Sequence, residues 1–167
     1  MTAYNLRTGT IKDIRQIREL VISSWGRFQQ ELTEENGAQL LRSIHDENTY
    51  LRLFETATCM VCETEEHKII GMVFLVSSGH PTDIYPADWC YIRFLTVSPE
   101  YEGKGIGRRL TQECLDNARN SGEHTIALHT SELMNNARAL YEDMGFKIIK
   151  ELEPRLGKRY WLYKKDV

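Results

Sequence analysis

The sequence lacks three features that would each indicate a class of function. It has no excess of positive charge, because 21 Lys and Arg stand against 24 Asp and Glu, and the formal net charge of −3 does not favour nucleic-acid binding. Its longest hydrophobic run, residues 69–76 interrupted by Gly71, is far shorter than the roughly 20 residues of a membrane span. Residues 1–10 have neither the charged start nor the apolar stretch of a secretory signal. We therefore expect a cytoplasmic protein with no nucleic-acid or membrane partner.

The sequence is also poor in residues that favour disorder or special architectures. Only 11 Gly and 4 Pro occur in 167 residues, and the hydrophobic share of 41% with 27% charged residues is typical of a globular protein. The length suits one domain with a sizeable core, and no internal repeat, linker or low-complexity segment interrupts it. The sequence therefore predicts a single domain over residues 1–167.

The four cysteines and five histidines have spacings that argue against a metal centre. Cys59 and Cys62 form a CxxC pair with His67 nearby, but no second pair completes a zinc site. Residues three apart in a strand lie on opposite faces, so these two thiols are expected to be buried separately. Cys90 and Cys114 are expected to be small core residues. We predict four thiols and no metal.

Hydrophobic periodicity predicts strands mixed with helices throughout the chain. A capping pattern of Thr10 and Asp13 precedes the first helix, the 101–110 segment begins a long amphipathic helix that ends at Gly122, and residues 47–57 are ambiguous. The predicted strands are 4–7, 58–64, 68–77, 89–97, 125–129, 146–150 and 159–164, and the other predicted helices are 11–24, 38–45 and 136–144. This order predicts one α/β domain with a mixed sheet, in which 58–64 and 68–77 form a hairpin and 89–97 is central.

Three alternating glycines, Gly103, Gly105 and Gly107, lie between the central strand and the long helix. Such a loop can direct backbone N–H groups at a phosphate, and the positive end of the helix dipole adds to the attraction. The spacing matches neither a P-loop nor a dinucleotide-binding fingerprint. A tight strand-to-helix turn without a ligand is the alternative.

Two segments, LTVSPEYEGKGIGRRL at 95–110 and NARALYEDMGF at 136–146, resemble the two central motifs of the GNAT superfamily of acetyl-CoA-dependent N-acyltransferases. The first motif of that family is Arg or Gln, two residues, Gly, one residue, then Gly or Ala. Gly105 and Gly107 match it, whereas Glu102 occupies the first place. The resemblance implies the GNAT fold, an α/β (α+β) domain whose central mixed sheet of six to seven strands is flanked by about four helices.

The resemblance also implies a site for acetyl-CoA. Backbone amides of the glycine loop would cradle the pyrophosphate of coenzyme A, and the backbone of the central strand would pair with its pantetheine arm. Glu102 is expected to point outward, and Met134 stands where many members carry Asn. The implied pyrophosphate ligands are Gly103, Lys104, Gly105, Ile106, Gly107 and Arg108, and the implied pantetheine partners are Leu95, Thr96 and Val97.

Tyr141 precedes the Gly145–Phe146 pair, the position of the usual general acid in this family. A tyrosine with an ordinary pKa of about 10 is protonated at neutral pH and can donate to a departing thiolate whose parent thiol has a pKa of about 8.5. The alternative is an aromatic packing residue, because Leu140 and Met144 share the apolar side of the helix. We expect the oxyanion to bind a backbone N–H near residues 95–97.

The general base is not evident from the sequence. Many relatives carry Glu in the central strand where this chain has Tyr91, and Tyr91 is not a base at neutral pH. His129, at the end of the following strand, and Glu132 are the residues we would test in its place. Ordinary exposed strand-end residues are the alternative for both.

The acceptor is indicated by a polar stretch between the first two helices. Trp25 and Phe28 lie beside Glu31, Glu34 and Glu35, and aromatic rings with carboxylates suit a cationic amine, although a solvated acidic loop has the same composition. The sequence does not distinguish small-molecule amines from protein amines as the acceptor. It also does not distinguish a monomer from a homodimer. We predict an N-acetyltransferase that moves acetyl from acetyl-CoA to an amine by direct transfer in a ternary complex. The alternative is a coenzyme A-binding module of the same fold without turnover.

Overall fold

The computed structural model describes residues 3–167 and contains one seven-stranded sheet with helices on both faces. The strands are β1 (Asn5–Thr8), β2 (Ala57–Glu63), β3 (Ile69–Val76), β4 (Cys90–Val97), β5 (Thr125–Ser131), β6 (Lys147–Arg155) and β7 (Lys158–Asp166). The helices are α1 (Ile14–Trp25), α2 (Glu34–His45), α3 (Glu47–Thr56), α4 (Ile106–Asn120) and α5 (Asn135–Asp143). The strand order is β1-β2-β3-β4-β5-β7-β6, so β4 is central as predicted.

Each face of the sheet carries its own hydrophobic core. On the α1–α3 face, Ile17, Leu40 and Leu53 from the three helices pack onto the sheet. On the α4–α5 face, Leu110 and Tyr141 do the same. Both faces are therefore covered by helices, which explains why every residue of β3 is buried.

The cysteines confirm the prediction made from strand alternation. Cys59 lies in the core of the α1–α3 face and Cys62 in the core of the α4–α5 face, and all four cysteines are buried and free. Within residues 3–167 no group of three or more His, Cys, Asp or Glu side chains could hold a metal ion. No helix in the same range combines the length and apolarity that crossing a bilayer requires.

The structure differs from the prediction in its helices, which number five rather than about four over the described residues. The ambiguous stretch 47–57 is α3, where the side chain of Asp46 accepts a hydrogen bond from the Asn48 amide, and Tyr50 and Leu53 form the buried side. Helix α2 begins at Glu34, four residues before the predicted start, because the Thr33 hydroxyl caps it. Both capping residues lie in polar sequence with little hydrophobic periodicity.

The sheet opens between β4 and β5, its one parallel pair. These strands pair only at Cys90 with Ile126 and Tyr91 with Ala127. Beyond that point β4 contains a bulge, since Phe74 of β3 lies opposite Arg93 and Met72 opposite Thr96, which leaves one extra residue in β4. Phe94, within this bulge, has a left-handed φ of 56°. The second half of β4 therefore departs from β5 and leaves a gap in the sheet.

A charge cluster ties β1 to α1 and β2 at the far edge of the sheet. Arg7 donates two hydrogen bonds to the carboxylate of Asp13, at 2.8 and 2.9 Å, and its guanidinium also lies 3.1 Å from the buried carboxylate of Glu63. Asp13 in turn accepts from the Thr10 amide, which completes the predicted capping box. Arg7 lowers the pKa of both carboxyl groups below their usual range.

We predict that Arg7→Met lowers the free energy of unfolding by about 1–3 kcal/mol at pH 7, because two enclosed carboxylates lose their partner. The lowered pKa values mean that this stabilisation is present above about pH 4 and is lost as the pH falls through the native pKa values. Urea unfolding at several pH values measures the difference. The control is Arg15→Met, which removes only the exposed pair with Glu19 and should cost about 0.5 kcal/mol or less. Equal effects of the two variants would contradict a stabilising role for the cluster.

Candidate active site

A cleft of about 1020 Å³ lies where β4 departs from β5. The second half of β4 forms the floor of the cleft. The glycine loop with the start of α4 forms one side, and the start of α5 forms another. The α1–α2 connection forms the opposite wall. The predicted residues that line it are Trp25, Phe28, Leu95, Thr96, Val97, Gly103, Gly105, Ile106, Gly107 and Arg108. Four predicted residues are not among those lining it: Lys104, His129, Glu132 and Tyr141.

Two residues of the glycine loop have backbone conformations that residues with a side chain rarely adopt. Gly103 and Gly105 have φ angles of 76° and 80°, and a Cβ built on either would meet nothing within 4 Å. Gly107 has an ordinary φ, but its Cβ would lie 3.4 Å from the Leu140 side chain. The first amides of α4, which have no partner within the helix, follow directly at Ile106. The loop is therefore open on the cleft side and can accept an anion.

Glu102 pairs with an arginine from the opposite wall of the cleft. Its side chain is 42% exposed, and its carboxylate lies 2.7 Å from the Nη2 of Arg27, which extends from the α1–α2 connection. Arg108 pairs with Asp143 of α5. The negative charge of Glu102 is thus neutralised by an arginine 75 positions away in sequence, which sequence patterns could not show.

The wall formed by α1 is fixed to β4 through the bulge. The Trp25 Nε1–H donates to the Thr96 Oγ1 at 2.9 Å, and that hydroxyl donates to the Phe94 carbonyl at 2.8 Å. The neighbouring Ser24 is buried, lines the cleft, and has a hydroxyl with no hydrogen-bond partner among residues 3–167. Glu31 lines the cleft, whereas Glu34 and Glu35, at the exposed start of α2, do not.

Tyr141 lies on the α4–α5 face, directly after the cleft residue Leu140. It is 5% exposed and packs edge-on against Phe146, with ring centroids 5.7 Å apart. Burial raises the pKa of its phenol, so the hydroxyl keeps its proton at neutral pH. Tyr141 is thus a packed aromatic residue whose hydroxyl is also protonated, as a general acid requires.

His129 lies on the opposite, α1–α3 face of the gap. Its Nδ1 is 2.6 Å from the hydroxyl of Tyr85, a buried residue of the β3–β4 connection. Burial, together with the positive charges of Arg93 and Arg155, lowers the pKa of His129 to about 3. A histidine held neutral in this way is a weak proton acceptor. Tyr85 was not predicted as a site residue, because it lies between the predicted strands 68–77 and 89–97, outside every motif.

We predict that the His129 imidazole stays neutral from pH 8 down to about pH 4. Since folding lowers its pKa from about 6.5, the unfolded chain binds a proton that the folded chain does not, and this contribution to stability falls as the pH drops from about 6.5 toward 3. NMR spectra of the imidazole nitrogens, assigned with His129→Gln, measure the midpoint. Arg93→Met should raise it by removing a repelling charge. A wild-type midpoint near 6.5 would contradict the enclosure of His129.

Known proteins are similar to this chain in sequence. Residues 15–146 match the family described as Acetyltransferase (GNAT) family. N-acetyltransferase 8B of Homo sapiens is 30% identical over 107 residues, which are 64% of this chain and 46% of that protein. N-alpha-acetyltransferase 30 of Schizosaccharomyces pombe is 40% identical over 37% of this chain and 41% of that protein. The matches span less than half the length of these curated relatives.

Solved structures share the fold over nearly the whole chain. The PaiA N-acetyltransferase from Thermoplasma acidophilum, crystallised in complex with coenzyme A, has a TM-score of 0.79 at 18% identity and covers 99% of both chains. The ribosomal-protein-S18-alanine N-acetyltransferase from Escherichia coli has a TM-score of 0.72 at 15% identity, covering 98% of this chain and 94% of that one. The predicted α/β fold with a mixed sheet is confirmed. This chain belongs to the GNAT acetyltransferase family.

Proposed function

We propose that this protein is an N-acetyltransferase that moves an acetyl group from acetyl-CoA to an amine by direct transfer in a ternary complex. The observation that carries the proposal is the cleft itself, in which the open glycine loop meets the unpaired edge of β4. Acetyl-CoA would supply the acetyl group as a reactive thioester. The chain's own residues would bind it, orient the amine and manage the protons.

The residues of the cleft fit a ligand with phosphates and amides. The glycine loop offers free N–H groups for a pyrophosphate, from Gly103 through the first turn of α4. The backbone of Leu95, Thr96 and Val97 faces the gap where β5 no longer pairs with it, so an extended chain with amide groups can take the place of a strand. Arg27 neutralises Glu102, which would otherwise repel phosphate.

Direct transfer is supported by the state of the thiols. All four cysteines are buried, and burial raises the pKa of each, to about 12 for Cys59 and Cys90. A nucleophilic cysteine needs an accessible thiolate, which burial opposes. The proposal therefore has the amine attack the thioester itself, while a backbone N–H near Leu95 stabilises the oxyanion.

Tyr141 is the proposed general acid. Its raised pKa keeps the phenol protonated at neutral pH, so a proton is available to donate as the C–S bond breaks, and the same shift makes it a weaker acid than an ordinary tyrosine. His129 is not supported as the base, because burial and two arginines lower its pKa to about 3 and make it a weak proton acceptor. We propose that the amine's proton passes to solvent, with the partly exposed Glu132 as the remaining base candidate.

Thiol release from acetyl-CoA with a panel of amines tests the proposal. Release that depends on both substrates supports the enzyme. Binding of coenzyme A without release with any amine would favour the alternative, a coenzyme A-binding module without turnover.

The proposed coenzyme A site predicts different effects of substitution at two glycines that have similar backbone conformations. Gly105 and Gly122 both have φ near 80° and no neighbour within 4 Å of a built Cβ, but only Gly105 lies in the cleft. Gly105→Ala and Gly122→Ala should each cost about 1–2 kcal/mol of stability. Coenzyme A at about 100 times its Kd should stabilise Gly122→Ala, like wild type, by about 2.7 kcal/mol, and Gly105→Ala by much less. Thermal unfolding measures this, and a wild type indifferent to millimolar coenzyme A would contradict the site.

We further predict that Tyr141→Phe lowers turnover by about 100-fold without weakening coenzyme A binding, because the ring and its packing remain while the acidic proton is lost. Single-turnover thiol release at saturating substrates measures the chemical step. The control is Tyr163→Phe on the same face, whose hydroxyl contacts Glu142 and Arg138 outside the cleft. That variant should keep wild-type turnover. Wild-type rates for Tyr141→Phe would show that the residue only packs.

A further inference from the structure

A polar cluster lies on the α1–α3 face at the point where β4 and β5 separate. The last paired residues are Tyr91 and Ala127, both in the core of that face. Two residues further along each strand, Arg93 and His129 therefore occupy the same face, level with each other across the gap. Tyr85 covers them from the β3–β4 connection, stacked on Tyr91 with ring centroids 4.1 Å apart.

Arg93 has no counter-ion among the described residues. Its guanidinium forms no salt bridge there and lies 5.1 Å from the centroid of the Phe94 ring. The side chain is partly exposed. The other arginine of the cluster, Arg155, pairs with the exposed Asp83 at 3.7 Å. A partly buried cation that no carboxylate neutralises can pair with an anion from outside the chain.

His129 adds a hydrogen-bond donor to this positive charge. Burial keeps the Tyr85 hydroxyl protonated, and Nδ1 of His129 is its one partner among the described residues. The hydroxyl therefore donates to Nδ1, which leaves the hydrogen of the neutral imidazole on Nε2. The cluster thus offers a guanidinium and an N–H group, with no carboxylate between them.

We propose that Arg93 and His129 form an anion subsite for the acceptor, and that the preferred acceptors are amines that also carry a carboxylate, such as amino acids. This inference rests on the proposed function. Arg93 lies two residues before Leu95, where the oxyanion is proposed to bind, and the bulge at Phe94 lies between them, so a short acceptor would reach both. The proposal replaces the cationic acceptor expected from Glu31, Glu34 and Glu35, of which only Glu31 lines the cleft.

The test compares amino acids with their amides, in which a neutral carboxamide replaces the carboxylate and the α-amine is less basic. L-alanine, L-methionine, L-phenylalanine and the three amides are titrated by calorimetry into protein saturated with coenzyme A, where no transfer can occur. At least one amino acid should bind about 10-fold or more tightly than its amide, as expected for a charge-assisted contact. Arg93→Met should bring that ratio to about 1 while coenzyme A affinity stays unchanged, and Arg93→Lys should keep part of the preference. The control, Arg52→Met on the exposed side of α3, should keep the wild-type ratio.

The outcomes separate the subsite from the proposed function. Amides that bind as tightly as the acids, a ratio that persists in Arg93→Met, or no binding of any amino acid overturns the subsite. Thiol release from acetyl-CoA is then measured with the same six compounds. Acid-selective binding without release supports the subsite and contradicts the enzyme, whereas equal release with acids and amides supports the enzyme and overturns the subsite.

Discussion

The short parallel pairing of β4 with β5 is the constraint on which the rest of the site depends. It lasts for two residue pairs, and then the strands separate within a sheet that is otherwise antiparallel. Backbone N–H and C=O groups inside a fold must find partners, and the separated edge of β4 has none from β5. An extended ligand with its own amides would supply them. Tyr141 and His129 lie on opposite faces of the sheet, and neither is among the residues that line the cleft.

The bulge that opens this gap is held by contacts from several elements. Phe94 adopts a left-handed conformation that costs a non-glycine residue on the order of 1–3 kcal/mol, and such strain persists only where the surroundings fix it. Here the rings of Trp25 and Tyr50 both lie 5.8 Å from the Phe94 ring, and Thr96 hydrogen-bonds its carbonyl. Thr96, which follows the bulge, also accepts the hydrogen bond from Trp25 of the cleft wall. The strained residue and the wall of the cleft are therefore connected.

Local patterns in the sequence predicted the parts of the molecule that local interactions determine. Strand alternation placed Cys59 and Cys62 on opposite faces, and the glycine spacing located the loop at residues 103–107. The pairing of Arg27 with Glu102 and of Tyr85 with His129 joins residues 75 and 44 positions apart, and no spacing rule reaches that far. The pairing of Glu102 with Arg27 was not predicted for this reason.

Burial shifts the pKa values of Tyr141 and His129, which lie on the two faces of the sheet, in opposite directions, so that both side chains are uncharged at neutral pH. It keeps the phenol of Tyr141 protonated and the imidazole of His129 uncharged, because a low dielectric disfavours the charged form of either group. Arg93 forms no salt bridge among the described residues. A carboxylate about 4 Å from its guanidinium would be favoured by about 4 kcal/mol at an effective dielectric constant of 20, and a second cation disfavoured by a similar amount. In the proposed subsite, this difference would favour acceptors that carry a carboxylate over polycationic ones, even though the net charge of the chain is negative.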